Sequence, residues 1–131
     1  MADELILIVE DNDKNRKLVR DVLRFTGYRT IEAETGEAGV ELARAERPAL
    51  VLMDIQLPGM NGLQALAALR ADPATRGIPV MAVTASAMMH DRQAIMAAGF
   101  DGYQSKPIEV RAFLEAVAAM VAAGGRHGDG R

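Results

Sequence analysis

The chain contains no cysteine, which excludes disulfide staples and thiolate chemistry and fits a reducing compartment. It carries no basic excess: 15 Lys and Arg against 18 Asp and Glu give a net charge of -3, which argues against direct nucleic-acid binding. It has no long apolar run either. Ala116 to Gly125, the longest charge-free stretch near the C-terminus, is far too short to span a bilayer. The opening Met1-Ala2-Asp3-Glu4 lacks the positive region of a signal peptide. The expectation is a soluble cytoplasmic domain that touches neither membrane nor nucleic acid.

What is present is ordinary in bulk and specific in arrangement. The 131 residues are 50% apolar and 25% charged, enough for one domain with a real core. Continuous apolar runs at Leu5–Val9, Leu50–Met53 and Val80–Val83, together with the short segment Gly102–Ser105, read as buried parallel strands. Tyr28–Ala33 makes a further short strand. Between them lie helix-period segments over Lys14–Thr26, Thr35–Glu46, Leu63–Arg70, Met88–Ala98 and Val110–Ala123. Leu18, Val19, Val22 and Leu23 form the stripe of the first, Gly27 follows it as a C-cap, and Thr35 caps the second. Strict alternation of strand and helix predicts right-handed crossovers and a doubly wound α/β domain of three layers. The domain is expected to cover residues 1–123, with 124–131 a disordered polar tail.

The polar residues sit where the strands end. Glu10-Asp11 closes the first run, Asp54 the third, Thr84 the fourth, and Lys106-Pro107 follows the fifth. In a parallel sheet the carboxyl ends share one edge, and open α/β sheets place their sites there. Any one of these residues alone reads as a turn or cap residue, and Glu10-Asp11-Asn12-Asp13 alone as an N-cap. Their joint placement favours a site. Three crowded carboxylates require a proton or a cation, and carboxylate and carbonyl oxygens suit Mg²⁺ when phosphate is near. Asp54 is the candidate nucleophile, Lys106 a movable positive charge, and Thr84 a hydroxyl for a phosphoryl oxygen.

The stretches Ile8-Val9-Glu10-Asp11, Leu52-Met53-Asp54-Ile55-Gln56-Leu57-Pro58-Gly59-Met60-Asn61-Gly62, Ala82-Val83-Thr84-Ala85 and Ser105-Lys106-Pro107 resemble the receiver domain of two-component response regulators. The likeness runs from Glu4 to Ala123, and within that bacterial, CheY-like superfamily the chain looks most similar to single-domain regulators of the DivK type. The resemblance implies a flavodoxin-like sheet of order 2-1-3-4-5. It implies that Asp54 accepts a phosphoryl group from a phosphohistidine and that Asp11, Glu10, Asp54 and the Gln56 carbonyl hold Mg²⁺. Thr84 and Lys106 would bind phosphoryl oxygens, the Lys106–Pro107 bond would be cis, and Tyr103 would be the switch aromatic. Glu10 departs from the commoner aspartate but keeps the carboxylate.

The same likeness implies a signalling domain that catalyses only its own phosphoryl transfer and dephosphorylation. A histidine kinase or phosphotransfer protein would dock on the first helix, and a downstream protein on the fourth helix, fifth strand and fifth helix. A small-molecule phosphatase would place an acid two residues after Asp54, where Gln56 stands. A flavin or nucleotide binder would need a phosphate-cradling loop where Glu10-Asp11-Asn12-Asp13 lies. Met88 with Ile95 and Met89 with Met96 form two ridges of the fourth helix; either one faces the core and the other a partner, or both edge a broad buried stripe. The uncharged second half of the last helix reads either as alanine-rich helix former or as a face for self-association. Lys14, Arg16, Arg20 and Arg24 read as a solvated face, and His90 and His127 as exposed residues without companion ligands.

Overall fold

The computed structural model describes residues 3–85 and 89–128, with side chains for 3–85 and 92–123. Along the chain run β1 (Leu5–Val9), α1 (Asp13–Phe25), β2 (Arg29–Ala33), α2 (Gly36–Glu46) and β3 (Leu50–Asp54). These are followed by α3 (Gly62–Ala71), β4 (Val80–Thr84), α4 (Met89–Ala97), β5 (Gly102–Ser105) and α5 (Val110–Gly128). The strands form one parallel sheet in the order β2-β1-β3-β4-β5. This is the doubly wound three-layer architecture that the alternating pattern predicts.

Side-chain alternation along each strand divides the core in two. Leu7, Val9, Val51, Met53, Val80 and Ala82 pack under α2, α3 and α4. Ile6, Ile8, Leu50, Leu52, Met81 and Val83 pack under α1 and α5, against Val19, Leu23, Phe113 and Val117. That parity has a consequence at the carboxyl edge. Glu10 and Asp54 continue the even positions of β1 and β3 and so fall on the α1/α5 side, above Ile8 and Leu52. Thr84 continues the opposite face of β4, the one that holds Ala82 and its register partner Tyr103.

The helices start where side chains supply an acceptor for an otherwise unbonded N–H. Asn12 accepts from Asn15 N at 3.0 Å, Thr35 from Ala38 N at 3.0 Å, and Asn61 forms a reciprocal capping box with Gln64 at 2.9 Å each way. Gly27, at φ 99°, takes the left-handed position one residue beyond the C-cap, Thr26.

Three expectations are corrected. The last helix does not stop at Ala123: the segment 124–128 is helical, and only 129–131 of the supposed tail lie outside the described residues. Extending an existing helix adds a hydrogen bond per residue fixed, which offsets the roughly 1 kcal/mol cost of each glycine. On α1, Val19 and Leu23 are buried as expected, but Leu18 is 45% exposed, because the stripe facing the sheet is narrower than four residues. Nor are all four cations of α1 a solvated face, since Arg16 and Arg20 both bind Glu32 of β2. On α4, Ile95 is buried and Met96 is 41% exposed, while Met88 and the side chains of Met89 and His90 lie outside the described residues, as does that of His127.

Candidate functional site

The carboxyl edge of the sheet gathers Glu10, Asp11 and Asp54, each offering a carboxylate oxygen, with those oxygens all within 4.8 Å of one another. Glu10 and Asp54 are each 5% exposed, whereas Asp11 faces solvent. Two acids are therefore fixed in the floor and one guards the entrance.

Lys106 crosses 96 residues of sequence to meet them. Its Nζ donates to Glu10 Oε1 at 2.7 Å and to Asp54 Oδ2 at 3.2 Å. The loop that carries it is held by its own N–H, which donates to the Thr84 carbonyl at 2.8 Å, and its bond to Pro107 is cis. The remaining carboxylate oxygens are also engaged: Glu10 Oε2 accepts from Asn12 N at 3.1 Å and Asp54 Oδ1 from Gln56 N at 3.0 Å. Asn12 thus serves twice, capping α1 with its side chain and holding Glu10 with its backbone.

One ammonium shared between two carboxylates leaves the acids under-compensated. Burial raises the Glu10 carboxyl above its ordinary 4.5, and the Asp54 charge adds to this, while hydrogen bonds from Lys106 and Asn12 pull against it. Burial works to lower Lys106, but Glu10 and Asp54 outweigh it and hold the ammonium above its ordinary 10.5. The two directions agree with the stoichiometry. The cation gains two partners and each anion gains half of one, so the pocket retains affinity for further positive charge.

The rest of the expected set is placed by the neighbouring strands. Thr84 is fully buried at the end of β4. Tyr103 is half-buried on β5, with the Arg92 guanidinium of α4 5.4 Å from its ring centroid. The alternation of β4 and β5 puts Thr84 and Tyr103 on one face of the sheet, opposite to that of Glu10 and Asp54. Gln56 lies in the β3–α3 loop, tied to Asp54 through its N–H.

Two positions were not singled out from the sequence for what they do here. Gly62 opens α3 against the backbone of the nucleophile candidate: a Cβ there would lie 2.5 Å from the Asp54 carbonyl oxygen and 2.8 Å from Ile55 Cα. The capping pattern Asn61-Gly62-Leu63-Gln64 marks the helix start, but nothing in it announces that approach. Arg16, read as a surface cation, donates to the Glu10 carbonyl at 2.8 Å with a side chain only 12% exposed. Arg16 and Arg20 share a helix face four residues apart, which is a signal for a common partner; its identity as Glu32 follows only from the β1–β2 register.

The donor set suits a hard divalent cation: clustered carboxylate oxygens, no sulfur, no imidazole. Among the described residues no helix is long and apolar enough to cross a membrane.

Known proteins resemble the chain over most of its length. A polar-differentiation response regulator DivK of Brucella anthropi is 47% identical over 112 residues, covering 86% of this chain and 91% of the relative. The DivK of Brucella abortus is 46% identical over the same span. Among solved structures, the receiver domain of a sensor histidine kinase from Pseudomonas aeruginosa is similar at 32% identity and a TM-score of 0.85, covering 92% of this chain and 99% of that one. That structure has a magnesium ion coordinated in its active-site cleft. The model of the response regulator receiver domain matches residues 6–118. The chain belongs to the response regulator receiver domain family, and its function is that of a two-component phosphoaspartate switch.

Proposed function

We propose that Asp54 is the phosphoacceptor and that the chain signals as a DivK-type receiver in the cytoplasm, through protein contacts. The observation that carries this reading is the trio of carboxylates within 4.8 Å of one another, with a single ammonium 2.7 and 3.2 Å from two of them. Glu10, Asp11, Asp54 and the Gln56 carbonyl would hold Mg²⁺, which would supply charge neutralisation for an incoming phosphoryl group.

The chain's own residues do the rest. An Asp54 carboxylate oxygen attacks phosphorus, the bond from phosphorus to the donor histidine nitrogen breaks, and that nitrogen leaves with the electron pair and is protonated. Lys106 exchanges its 3.2 Å contact with Asp54 for a phosphoryl oxygen, a short movement of a group already in the pocket. Thr84 turns its hydroxyl toward the phosphoryl group, and Tyr103, on the same face of the sheet, moves inward and leaves Arg92. Hydrolysis of the acyl phosphate at the same site resets the switch, so the domain catalyses its own transfer and dephosphorylation and no other reaction. The phosphodonor, a histidine kinase or histidine phosphotransfer protein, docks on α1, where Leu18 is 45% and Phe25 93% exposed. The downstream partner takes the α4–β5–α5 face, on which Met96 and Val110 are exposed and a second copy of the chain can also sit.

The test is incubation with a small acyl-phosphate donor, followed by intact-mass spectrometry. One phosphoryl group is expected with Mg²⁺ and none in EDTA. Labelling that proceeds equally in EDTA would exclude the metal-dependent switch.

A further inference from the structure

We propose that Arg16 is a positioning residue of the acidic pocket, setting the Glu10-Asp11 peptide and through it the metal affinity of the site. The inference rests on the reading of Glu10, Asp11 and Asp54 as the Mg²⁺ site. Both polar groups of the Glu10 backbone are held, the N–H by β2 and the carbonyl by α1. Its N–H donates to the Ala33 carbonyl at 3.0 Å, and its carbonyl accepts from Arg16 Nη1 at 2.8 Å. The guanidinium is in turn anchored on the preceding residue of β2, with Nε 3.1 Å from Glu32 Oε1, and its Nη2 binds Asp13 Oδ1 at 2.5 Å. One planar group therefore spans α1, β2 and the turn that carries the acids.

The consequence runs through peptide geometry. The Glu10 carbonyl and the Asp11 N–H belong to one plane, so fixing the oxygen fixes the direction in which Asp11 leaves it. Asp11 faces solvent, and neither an ion pair nor a side-chain hydrogen bond is among those described for it. Its position relative to Glu10 and Asp54 therefore depends on the backbone. Arg16 is suited to this task and lysine is not. Three separate acceptors at fixed angles match the guanidinium fork, whereas an ammonium on a flexible stem engages them only as a point charge. The degree of burial distinguishes Arg16 from an ordinary surface cation: its side chain is 12% exposed, while its acidic partners Asp13 and Glu34 are 85% and 70% exposed. Partners that orient metal ligands without touching the metal commonly govern affinity by about 10–100-fold.

Calorimetric titration of Mg²⁺ into the full chain, with urea melts in EDTA, tests the role. Arg16→Met should weaken Mg²⁺ binding about tenfold. Arg16→Lys, which keeps the charge and loses the fork, should weaken it at least roughly threefold. Arg44→Met removes the equally well-formed Arg44–Asp72 pair on the far side of the fold and should leave Mg²⁺ affinity unchanged. Wild-type affinity in Arg16→Met would overturn the inference, as would an equal loss in Arg44→Met, which would mark the effect as general loosening. Should Arg16→Met fail to fold, Arg16→Lys decides, and wild-type affinity there overturns the inference. A wild-type chain showing no Mg²⁺ binding that Asp11→Ala abolishes would instead overturn the metal reading, and this inference with it.

Discussion

Replacing Lys106 by methionine removes the only described cation in contact with two buried carboxylates while preserving most of the side-chain volume. The gross attractions it forfeits are about 6 kcal/mol at 2.7 Å from Glu10 and about 5 kcal/mol at 3.2 Å from Asp54, for an effective dielectric of about 20. Most of that is offset by the desolvation of the ammonium. The net cost of leaving a buried charge uncompensated is about 3–5 kcal/mol, and the solvent at Asp11 favours the lower end. A loss near 3 kcal/mol in EDTA at pH 8 corresponds to roughly 10–15 °C in melting temperature for a domain of this size.

The pH dependence has a definite sign. Glu10 already sits above its ordinary 4.5, and removing Lys106 deletes the largest influence pulling it down. A carboxyl raised in the folded state favours the fold when protonated, so stability is greatest at acid pH and falls as pH rises from 4.5 through the folded value. The deficit of Lys106→Met should therefore shrink toward pH 5 and be complete at pH 8. The wild-type Lys106 contribution stays intact across that range, because it is lost only as pH climbs beyond 10.5 toward the raised folded value. Added Mg²⁺ should restore more stability to the variant than to the wild type, since the ammonium no longer competes for the same oxygens. Urea melts from pH 5 to 8, with EDTA or with Mg²⁺, read all three effects. A variant as stable as wild type at pH 8 in EDTA would refute the account of the pocket as short of positive charge.

Asp11→Ala should abolish Mg²⁺ binding and phosphorylation together, yet melt in EDTA within about 0.5 kcal/mol of wild type or above it, because an exposed member of a repelling trio is removed; a large loss of stability would make Asp11 structural. Thr84→Ala should still be phosphorylated, more slowly, while the shift that beryllofluoride induces in the Tyr103 ring resonances falls to less than about a third of the wild-type shift. A full wild-type shift would break the proposed link between the two residues.

The apolar runs made the sheet legible, because strands buried on both faces need no periodicity to be recognised. They also pointed to the candidate site: Glu10, Asp54 and Thr84 each stand one step from the end of such a run, and Lys106 one step beyond β5. The convergence then follows from parallel order, and the parity of side chains separates Glu10 and Asp54 from Thr84. What the sequence did not reveal depends on register and on close approach. Arg16 is sixteen residues from Glu32, and only the pairing of Ile8 with Glu32 brings that carboxylate under α1. Gly62 looks like any helix-opening glycine until the Asp54 carbonyl is found 2.5 Å from where its Cβ would be. The end of α5 was misjudged because composition favours a loop at Gly124-Gly125, whereas continuation of a packed helix is decided by the turns before it.

The central claim is that the acyl phosphate forms on Asp54. The chain is phosphorylated with a small acyl-phosphate donor and Mg²⁺, trapped with borohydride, which reduces an acyl phosphate to the alcohol, and digested for peptide mapping. The account predicts that the reduced side chain maps to Asp54 and that Asp54→Asn yields none. Reduction mapping to Asp11 or Glu10, or undiminished labelling of Asp54→Asn, would contradict it.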